Sequence, residues 1–408
     1  MLSKRSLLKN TIIKEISLNQ SLSCVTLSKK INKSFPATKL LLSELITGGI
    51  VVEDDNTEST GGRKPQMYTL KAALMYVVSV AMDQHSTSIA LIDIQTKEQV
   101  LTEKFNLELN ENDDFLPPLT LQIQSFIDKS GMGKEKILGI GIGMPGFVNK
   151  KTGTNRTYQN ADSPSITGYV SNRTGIPVYI DNDSRMVALA EMHFGASKNE
   201  ANALVINIGW GTGLGLILDG KIFSGTSGLA GEFSHIPLFQ NNKLCSCGKT
   251  GCLETEVSLS FIIQEAVTRL KDGKASALSL DSFNGDPRER FENLVEAVNK
   301  GDNLIIELFS EMGYNLGRGI AILIHILNPG KIILSGLGAV IKKIWLPVIN
   351  SALNEHCIPH LAEQTEIEVS AIDARAELIG SAILVLENFA NQGFQKDLKK
   401  TKTASYTA

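Results

Sequence analysis

The sequence predicts an α/β fold for most of the chain, preceded by a smaller helical domain that ends in a β-hairpin. From Met75 onward, short β-branched strands such as MYVVSVAMD and ILGIGIGMPG alternate with helices and end in glycine or aspartate, as in open α/β sheets. Before Met75, three short apolar-periodic segments lead into two strands joined by a polar turn. We therefore predict domains over residues 1–72 and 73–392. The polar remainder, 393–408, has no apolar period and is predicted to be disordered.

The N-terminal helices are predicted from apolar spacing and from capping residues. Leu8, Ile12 and Ile16 share one helical face, and Ser23 is a cap for a second helix. A third helix, FPATKLLLSELIT, stops at Gly48-Gly49. Three short helices followed by a hairpin predict a winged helix-turn-helix.

DNA contacts are predicted at two places in this domain. Thr38 and Lys39, in the first turn of the third helix, are candidates for the major groove, and Arg63 and Lys64, in GGRKP, for the DNA backbone or minor groove. Residues 1–70 carry ten Lys/Arg and six Asp/Glu, whereas the remainder carries thirty and thirty-seven. A basic segment on an acidic body favours nucleic-acid binding, although a solvated basic face would give the same count.

The composition is that of a globular protein without a membrane segment. Of 408 residues, 42% are hydrophobic and 20% are charged, which suits several domains of about 150 residues each. No apolar run reaches the roughly 18 residues of a membrane span, and charges interrupt the first residues where a signal peptide would be apolar. A cytoplasmic location is expected.

Four metal-binding side chains fall within one short segment. His235 is followed by Cys245, Cys247 and Cys252 in HIPLFQNNKLCSCGKTGC. Three thiolates and one imidazole form a closed tetrahedral set of the kind found in structural zinc sites, and the spacing suits a metal better than a disulfide framework. The sequence therefore predicts zinc bound by these four residues.

Two further motifs leave alternatives open. In INIGWGTGLGLILDG, the backbone of Gly211, Thr212 and Gly213 can hold a phosphate, or the glycines can serve a tight hairpin that needs positive φ. Asp183 stands between a strand and a helix, where it can accept a proton or cap the helix. Glu232 and Glu254 flank the zinc segment, and carboxylates held around one point suit a polyol.

Several motifs together resemble one protein family. GLAGEFSH, followed ten residues beyond its histidine by CSCGKTGCLE, resembles the signature of the ROK family of repressors, open reading frames and sugar kinases. MPGFV, IDNDSRMVALAE and GTGLG are similar to further family motifs and occur in the right order. The N-terminal winged helix ending in GGRKP resembles the DNA-binding branch, the NagC/Mlc/XylR type. The resemblance covers nearly the whole chain.

The resemblance implies an actin/hexokinase-like fold of two ribonuclease-H-like lobes with a sugar in the cleft between them. The family's kinases hold ATP with Mg on two phosphate loops, the second of which matches Gly211-Thr212-Gly213, and their base matches Asp183. His235 matches a zinc ligand that borders the sugar. The implied sugar-binding residues are Asn160, Asn182, Asp183, Glu232, His235 and Glu254.

The first phosphate loop departs from the family pattern. Family kinases have Asp-x-Gly-Gly-Thr, whereas this chain has Asp83-Gln84-His85-Ser86-Thr87. Both glycines that let the backbone approach a phosphate are replaced, and His85 is expected to obstruct ATP. The departure favours a regulator. The intact second loop and Asp183 keep open the alternative, an active ATP-dependent kinase for a hexose or N-acetylhexosamine.

The sequence thus predicts a sugar-responsive DNA-binding transcription regulator, a repressor of carbohydrate-metabolism genes with a zinc-stabilised sensor domain. Its predicted partners are a double-stranded DNA operator and a sugar or sugar-derivative effector. Because operators mirror protein two-fold symmetry, a homodimer or homotetramer is expected. A third hypothesis, a pure dimerisation scaffold, is disfavoured because a scaffold does not need polar groups converging on a cleft.

Overall fold

Three sheets organise the protein in its computed structural model, which describes residues 3–54, 65–110, 114–372 and 375–392. A three-stranded sheet belongs to the N-terminal domain, and two five-stranded sheets form two lobes on either side of a cleft. The predicted α/β class, with a winged helix-turn-helix ahead of a two-lobed body, is confirmed.

The N-terminal domain combines three helices with the small sheet. Its elements are α1 (Lys4–Asn19), β1 (Ser21–Ser23), α2 (Cys24–Lys30), α3 (Phe35–Thr47), β2 (Val51–Asp54) and β3 (Met67–Leu70). Ser3, Ser23 and Ser34 each cap one helix by accepting a bond from a backbone N–H, as predicted for Ser23. The strands are antiparallel in the order β1-β3-β2. Ile12 and Leu42 are buried in the core.

The first lobe is built on a mixed sheet. Its elements are β4 (Tyr76–Met82), β5 (Ser86–Asp93), β6 (Gln99–Asn106), α4 (Leu116–Lys129), β7 (Ile137–Met144), β8 (Val148–Asn149), β9 (Thr154–Asn155), α5 (Ile166–Thr174) and β10 (Val178–Asn182). The strand order is β10-β7-β4-β5-β6, with β4, β5 and β6 antiparallel and β7 and β10 parallel to β4.

The second lobe repeats this topology. Its elements are α6 (Asp183–Phe194), β11 (Ala203–Ile208), β12 (Thr212–Leu218), β13 (Lys221–Phe223), α7 (Glu254–Val257), α8 (Leu259–Lys271), α9 (Pro287–Asn299), α10 (Asn303–Leu327), β14 (Lys331–Ser335), α11 (Lys342–His356), α12 (Pro359–Ala362), β15 (Glu366–Val369) and α13 (Ala376–Gln392). The order β13-β12-β11-β14-β15, antiparallel then parallel, matches that of the first lobe. Among the described helices, none is long and apolar enough to cross a membrane.

Two helices exchange between the lobes. Helix α6 follows the first lobe's last strand but packs on β11 and β12 of the second, and α13 follows the second lobe's last strand but packs on β4, β7 and β10 of the first. The two helices also pack on each other. Both helices begin at the cleft. Because each one joins the two lobes, a movement of one lobe relative to the other must also move this helix pair.

The N-terminal domain packs directly on the two-lobed body. Helix α1 lies against α13, where Asn10 Nδ2 donates to Phe389 O at 3.4 Å. Ser17 Oγ donates to Ile94 O and accepts from Lys97 Nζ, each at 2.6 Å. Burial lowers the pKa of Lys97 to about 7. Helix α13 therefore connects the cleft with the N-terminal winged helix-turn-helix domain.

Candidate functional site

The cleft between the lobes encloses a cavity of about 840 Å³, within the range of small-molecule sites. Strand ends, the start of α6 and the glycine turn between β11 and β12 form its walls. Five of the six predicted sugar-binding residues line it: Asn182, Asp183, Glu232, His235 and Glu254. The structure therefore brings together residues that are far apart in the sequence.

Asn160 does not join this group. Its side chain is exposed and lies outside the cavity lining, to which the same loop contributes Thr157 and Tyr158. The carbonyl oxygen of Asn160 accepts a bond from Ser163 N at 3.1 Å, and this turn carries the residue away from the cleft. The structure therefore does not bring Asn160 together with the other five residues, and its role in sugar binding stays a prediction.

At the start of α6, helix capping and proton acceptance belong to two different residues, although the sequence allowed Asp183 to do either. Asn182 Oδ1 accepts bonds from Ser184 N at 3.1 Å and Arg185 N at 3.3 Å, so Asn182 is the helix cap. Asp183 follows as the first helical residue and accepts from Ser184 N at 2.7 Å. Burial raises the pKa of Asp183. Since Asn182 performs the capping, the Asp183 carboxylate remains available in the cleft as a hydroxyl or proton acceptor.

Two further carboxyls face the same cavity. Glu254 Oε2 accepts a bond from Thr212 N at 3.1 Å, and the Ser234 side chain also bonds to this carboxyl. Burial, with smaller contributions from Glu232 and Asp183, raises the pKa of Glu254 to about 7. Burial also raises the pKa of Glu232. A ligand rich in hydroxyl donors would satisfy these acceptors, whereas an analogue lacking a hydroxyl would leave one unpaired.

The turn between β11 and β12 requires glycines because neighbouring groups lie close to its backbone, and not because its backbone conformation demands them. Neither Gly211 nor Gly213 has a positive φ, so the alternative that these glycines serve a turn with positive φ is wrong. A Cβ at Gly213 would lie 2.0 Å from Ser184 Oγ, and one at Gly211 would lie 2.8 Å from Glu254 Oε1. The turn needs glycine because α6 and the Glu254 carboxyl press against it.

The first loop is closed by its own aspartate. Asp83 Oδ1 accepts bonds from the backbone N–H groups of His85 and Ser86, both at 2.7 Å. The His85 ring packs edge-on against Trp210 of the glycine turn, with ring centroids 5.3 Å apart. Two backbone donors of the kind a phosphate loop offers to its ligand are thus already bonded, and an aromatic contact joins the two loops.

The four predicted metal ligands converge. Their ligand atoms lie within 4.8 Å of one another, with His235 Nδ1 3.5 Å from Cys245 Sγ and Cys247 Sγ 3.6 Å from Cys252 Sγ. Tetrahedral zinc with bonds of about 2.3 Å places two sulfurs roughly 3.8 Å apart, so the spacing fits a metal ion. His235 Nε2 points the other way, 3.9 Å from Glu232 Oε2. The histidine thus connects the cluster with the cleft.

The two candidate DNA-contacting residues on α3 differ in their exposure to solvent. Thr38 is fully buried, and its Oγ1 donates to Ser34 O at 3.0 Å, so its prediction as a base-contacting residue is corrected. The reason is helical spacing, since Thr38 lies on the same face as the buried Leu41 and Leu45. Lys39 is exposed. Arg63 and Lys64 lie outside the described residues.

Sequence reasoning missed Glu377, at the start of α13. It lines the cavity, and its buried Oε1 has no hydrogen-bond partner among the residues described. Burial raises the pKa of Glu377 well above its usual range, and Asp183 and Asp83 add to the shift. No local motif marks this glutamate, because only the packing of α13 on the first lobe brings it to the cleft.

Comparison with known proteins decides the family. The ROK family profile matches residues 77–388. The chain belongs to the ROK family. A solved structure described as a ROK family transcriptional regulator, homolog of the Escherichia coli MLC protein, is 27% identical with a TM-score of 0.77, and the match covers 95% of this chain and 97% of that one.

Both repressors and kinases of the family are among the relatives. The chain is 30% identical to the DNA-binding transcriptional dual regulator NagC of Escherichia coli strain K12, over 85% of this chain and 84% of NagC. It is 28% identical to the xylose repressor of Caldicellulosiruptor bescii, over 93% and 95% of the two chains. A glucokinase of Halalkalibacterium halodurans is 31% identical over 75% of this chain and 94% of its own length.

Proposed function

We propose that this protein is a sugar-responsive, DNA-binding transcription regulator that represses genes of carbohydrate metabolism. The supporting observation is a winged helix-turn-helix packed on a sensor whose cleft gathers hydroxyl acceptors while its first phosphate loop is closed. A regulator needs ligand binding and a second, coupled site, but it does not need phosphoryl transfer. The proposal implies a cytoplasmic protein with access to DNA.

The extent of the matches supports this proposal. The xylose repressor match covers 93% of the chain and therefore includes most of the N-terminal domain. The glucokinase match covers 75% of this chain but nearly the whole kinase, which corresponds in length to the sensor body alone. The match to a protein named as a repressor thus includes the N-terminal domain, which a kinase would not require.

The effector is proposed to be a sugar or sugar derivative bound by Asp183, Glu232 and Glu254, with His235 and Asn182 beside them. The three carboxyls accept hydrogen bonds from ligand hydroxyls, and Asn182 holds the start of α6 in place. Lobe closure on the sugar would shift α6 and α13. Coupling of this type is worth about 1–3 kcal/mol, or roughly 5–150-fold in operator affinity.

The metal is proposed to be zinc, held by His235, Cys245, Cys247 and Cys252. In a closed site with four protein ligands, zinc contributes folding energy and no open position for chemistry. Its effect here would be to hold the segment between Glu232 and Glu254, and with it both carboxyls that face the cleft.

An ATP-dependent sugar kinase is the second candidate, because Asp183 and the second glycine loop are intact. In that reaction, ATP with Mg would supply the phosphoryl group, and Asp183 would accept the proton of the sugar hydroxyl. The His85–Trp210 contact and the occupied N–H groups of the first loop oppose this candidate. Product formation from labelled ATP with glucose or N-acetylglucosamine would establish the kinase.

The function is tested by selecting bound duplexes from a random DNA pool and measuring their affinity at several salt concentrations. Lys39→Ala is expected to weaken binding and, if Lys39 contacts a phosphate, to reduce the salt slope by about one unit. Lys136→Ala, an exposed lysine of the first lobe, is the matched control. Free sugars and their phosphates are then screened for release of the DNA. A pool without an enriched sequence would contradict the proposal.

Subunit number stays a prediction. A dimer or tetramer is expected because two recognition helices would read the two halves of a symmetric operator. Sedimentation of the protein with and without the selected duplex would determine it.

A further inference from the structure

Helix α3 exposes two large apolar side chains in its first two turns. Leu41, Leu42 and Leu45 pack inward, whereas Leu40 is 54% exposed and Phe35 is 47% exposed. A single apolar side chain with this exposure is common on a protein surface. Here they occur together on the helix that a helix-turn-helix places in the DNA major groove.

The neighbouring helix, α2, carries one more exposed apolar side chain. Val25, at the second position of α2, is 51% exposed. The first turns of α2 and α3 adjoin, because Cys24 Sγ lies 3.9 Å from Phe35 O. Phe35 and Leu40 are five residues apart and therefore lie about 140° apart around α3. We refer to the three exposed side chains Val25, Phe35 and Leu40 of these adjoining helices together as the apolar reading surface.

Three exposed lysines lie near the residues of the apolar reading surface in the sequence. Lys29, Lys33 and Lys39 are exposed, and none has an ion-pair partner within the described part of the chain. The first turn of α3 carries no acidic residue, and Glu44 further along is neutralised by ion pairs with Arg5 and Lys9. Apolar side chains interspersed with lysines complement a groove that presents base methyl groups between edges of phosphates.

The major groove offers one prominent apolar group to such a surface. Each thymine presents its C5-methyl there, whereas the other base edges present hydrogen-bond donors and acceptors. Leu40 and Phe35 have no polar group with which to read donors or acceptors, but they can bury methyl groups. Thr38, the one uncharged polar residue between them in the sequence, points into the protein and cannot take this role.

We propose that Leu40 and Phe35 read thymine methyl groups in the major groove, so that the protein selects operators with thymines at defined positions. The inference rests on the proposed DNA-binding function and adds the chemistry by which sequence is recognised. Lys39, on the same exposed side, then contacts the DNA backbone and sets affinity rather than sequence.

The test replaces thymine by deoxyuridine, one position at a time, in the duplex selected from the random pool. The exchange removes only the methyl group and keeps base pairing. Burial of a methyl-sized group is worth about 0.8 kcal/mol, which corresponds to a roughly fourfold change in affinity. We expect wild-type protein to lose about fourfold at one or more positions in each half-site.

Leu40→Ala is expected to abolish this loss at one of those positions, while Phe35→Ala abolishes it at another. Leu121→Ala is the matched control, since Leu121 is a 65% exposed leucine on helix α4 of the sensor. Both Leu40 and Leu121 are exposed, so unchanged melting temperatures are expected and affinity differences report on contact with DNA.

The outcomes are distinguishable from failure of the proposed function. If no sequence is enriched from the pool, DNA recognition itself fails, and this inference fails with it. If a sequence is enriched but deoxyuridine has no effect at any position, the protein is still a DNA-binding regulator and the methyl readout is refuted. Retained methyl sensitivity in both Leu40→Ala and Phe35→Ala would also overturn the inference.

Discussion

Gly380 lies where helices α6 and α13 cross, and its replacement by alanine is a sharp perturbation of that crossing. A Cβ at this position would lie 1.9 Å from Met186 O and 2.5 Å from the carbonyl carbon. Both are backbone atoms that cannot rotate away. Because real Cβ contacts are essentially never shorter than 3.0 Å, Gly380→Ala must separate the two helices by about 1 Å.

The expected cost follows from two opposing effects. Overpacking of a dense interior costs about 1–3 kcal/mol, and alanine in a helix regains up to about 1 kcal/mol over glycine. A net destabilisation of about 1–2 kcal/mol lowers the melting temperature by several degrees in a body of this size. Since α6 begins with Asp183 and α13 begins beside Glu377, sugar affinity is expected to fall as well.

Thermal unfolding with and without sugar measures both effects. Gly330→Ala, just before β14, is the control, because the atoms nearest to its added Cβ would be Glu200 Oε2 at 3.5 Å and Asn202 O at 3.8 Å, which are ordinary contact distances. This control is expected to change stability little. If Gly380→Ala were as stable as the wild type and bound sugar equally well, the crossing would be looser than the structure describes, and the reasoning would be refuted.

Three further predictions concern the cleft, the metal cluster and His193, a residue of α6 close to Lys14 and Glu15 of the N-terminal domain. Cys247→Ser is expected to remove the metal and lower the melting temperature, because a structural metal site contributes its binding energy to folding; metal analysis of the wild type that found no zinc would end this prediction. Glu232→Ala is expected to bind the operator normally without sugar but to lose the sugar response, whereas an unchanged response would exclude the cleft as the sensor. Burial lowers the pKa of His193 to about 4. The unfolded chain, with a histidine pKa near 6.5, therefore takes up this proton first, and stability is expected to fall as pH drops from about 6.5 towards 4. In the His193→Asn variant, the free energy of unfolding measured with urea should change less with pH across that window. A variant with the same pH profile as the wild type would show that His193 does not cause the fall.

Local patterns predicted the parts of the protein that depend on short sequence separations. The ligands from His235 to Cys252 lie within one segment, so their spacing was sufficient to bring them together. The end of α3 and the cap of α2 likewise depend on neighbouring residues. Helical spacing also contained the information for Thr38, because it lies three residues before Leu41, on the buried face.

Features that depend on the packing of distant elements could not be read from the sequence. Glu377 reaches the cleft only because α13 returns to the first lobe, and His85 meets Trp210 only because the two lobes face each other. The loop with Asn160 shows the same limit on a small scale, since a single turn decides whether Asn160 or Tyr158 faces the cavity.

The position of α13 has a consequence for synthesis of the chain. The ribosome completes the N-terminal domain first, but the helix that covers α1 is made after every other described element. Until then, the side of α1 that packs on Phe389 has no partner. A chain truncated ahead of residue 376 would therefore leave this side of α1 uncovered and would also lack Glu377 at the cleft.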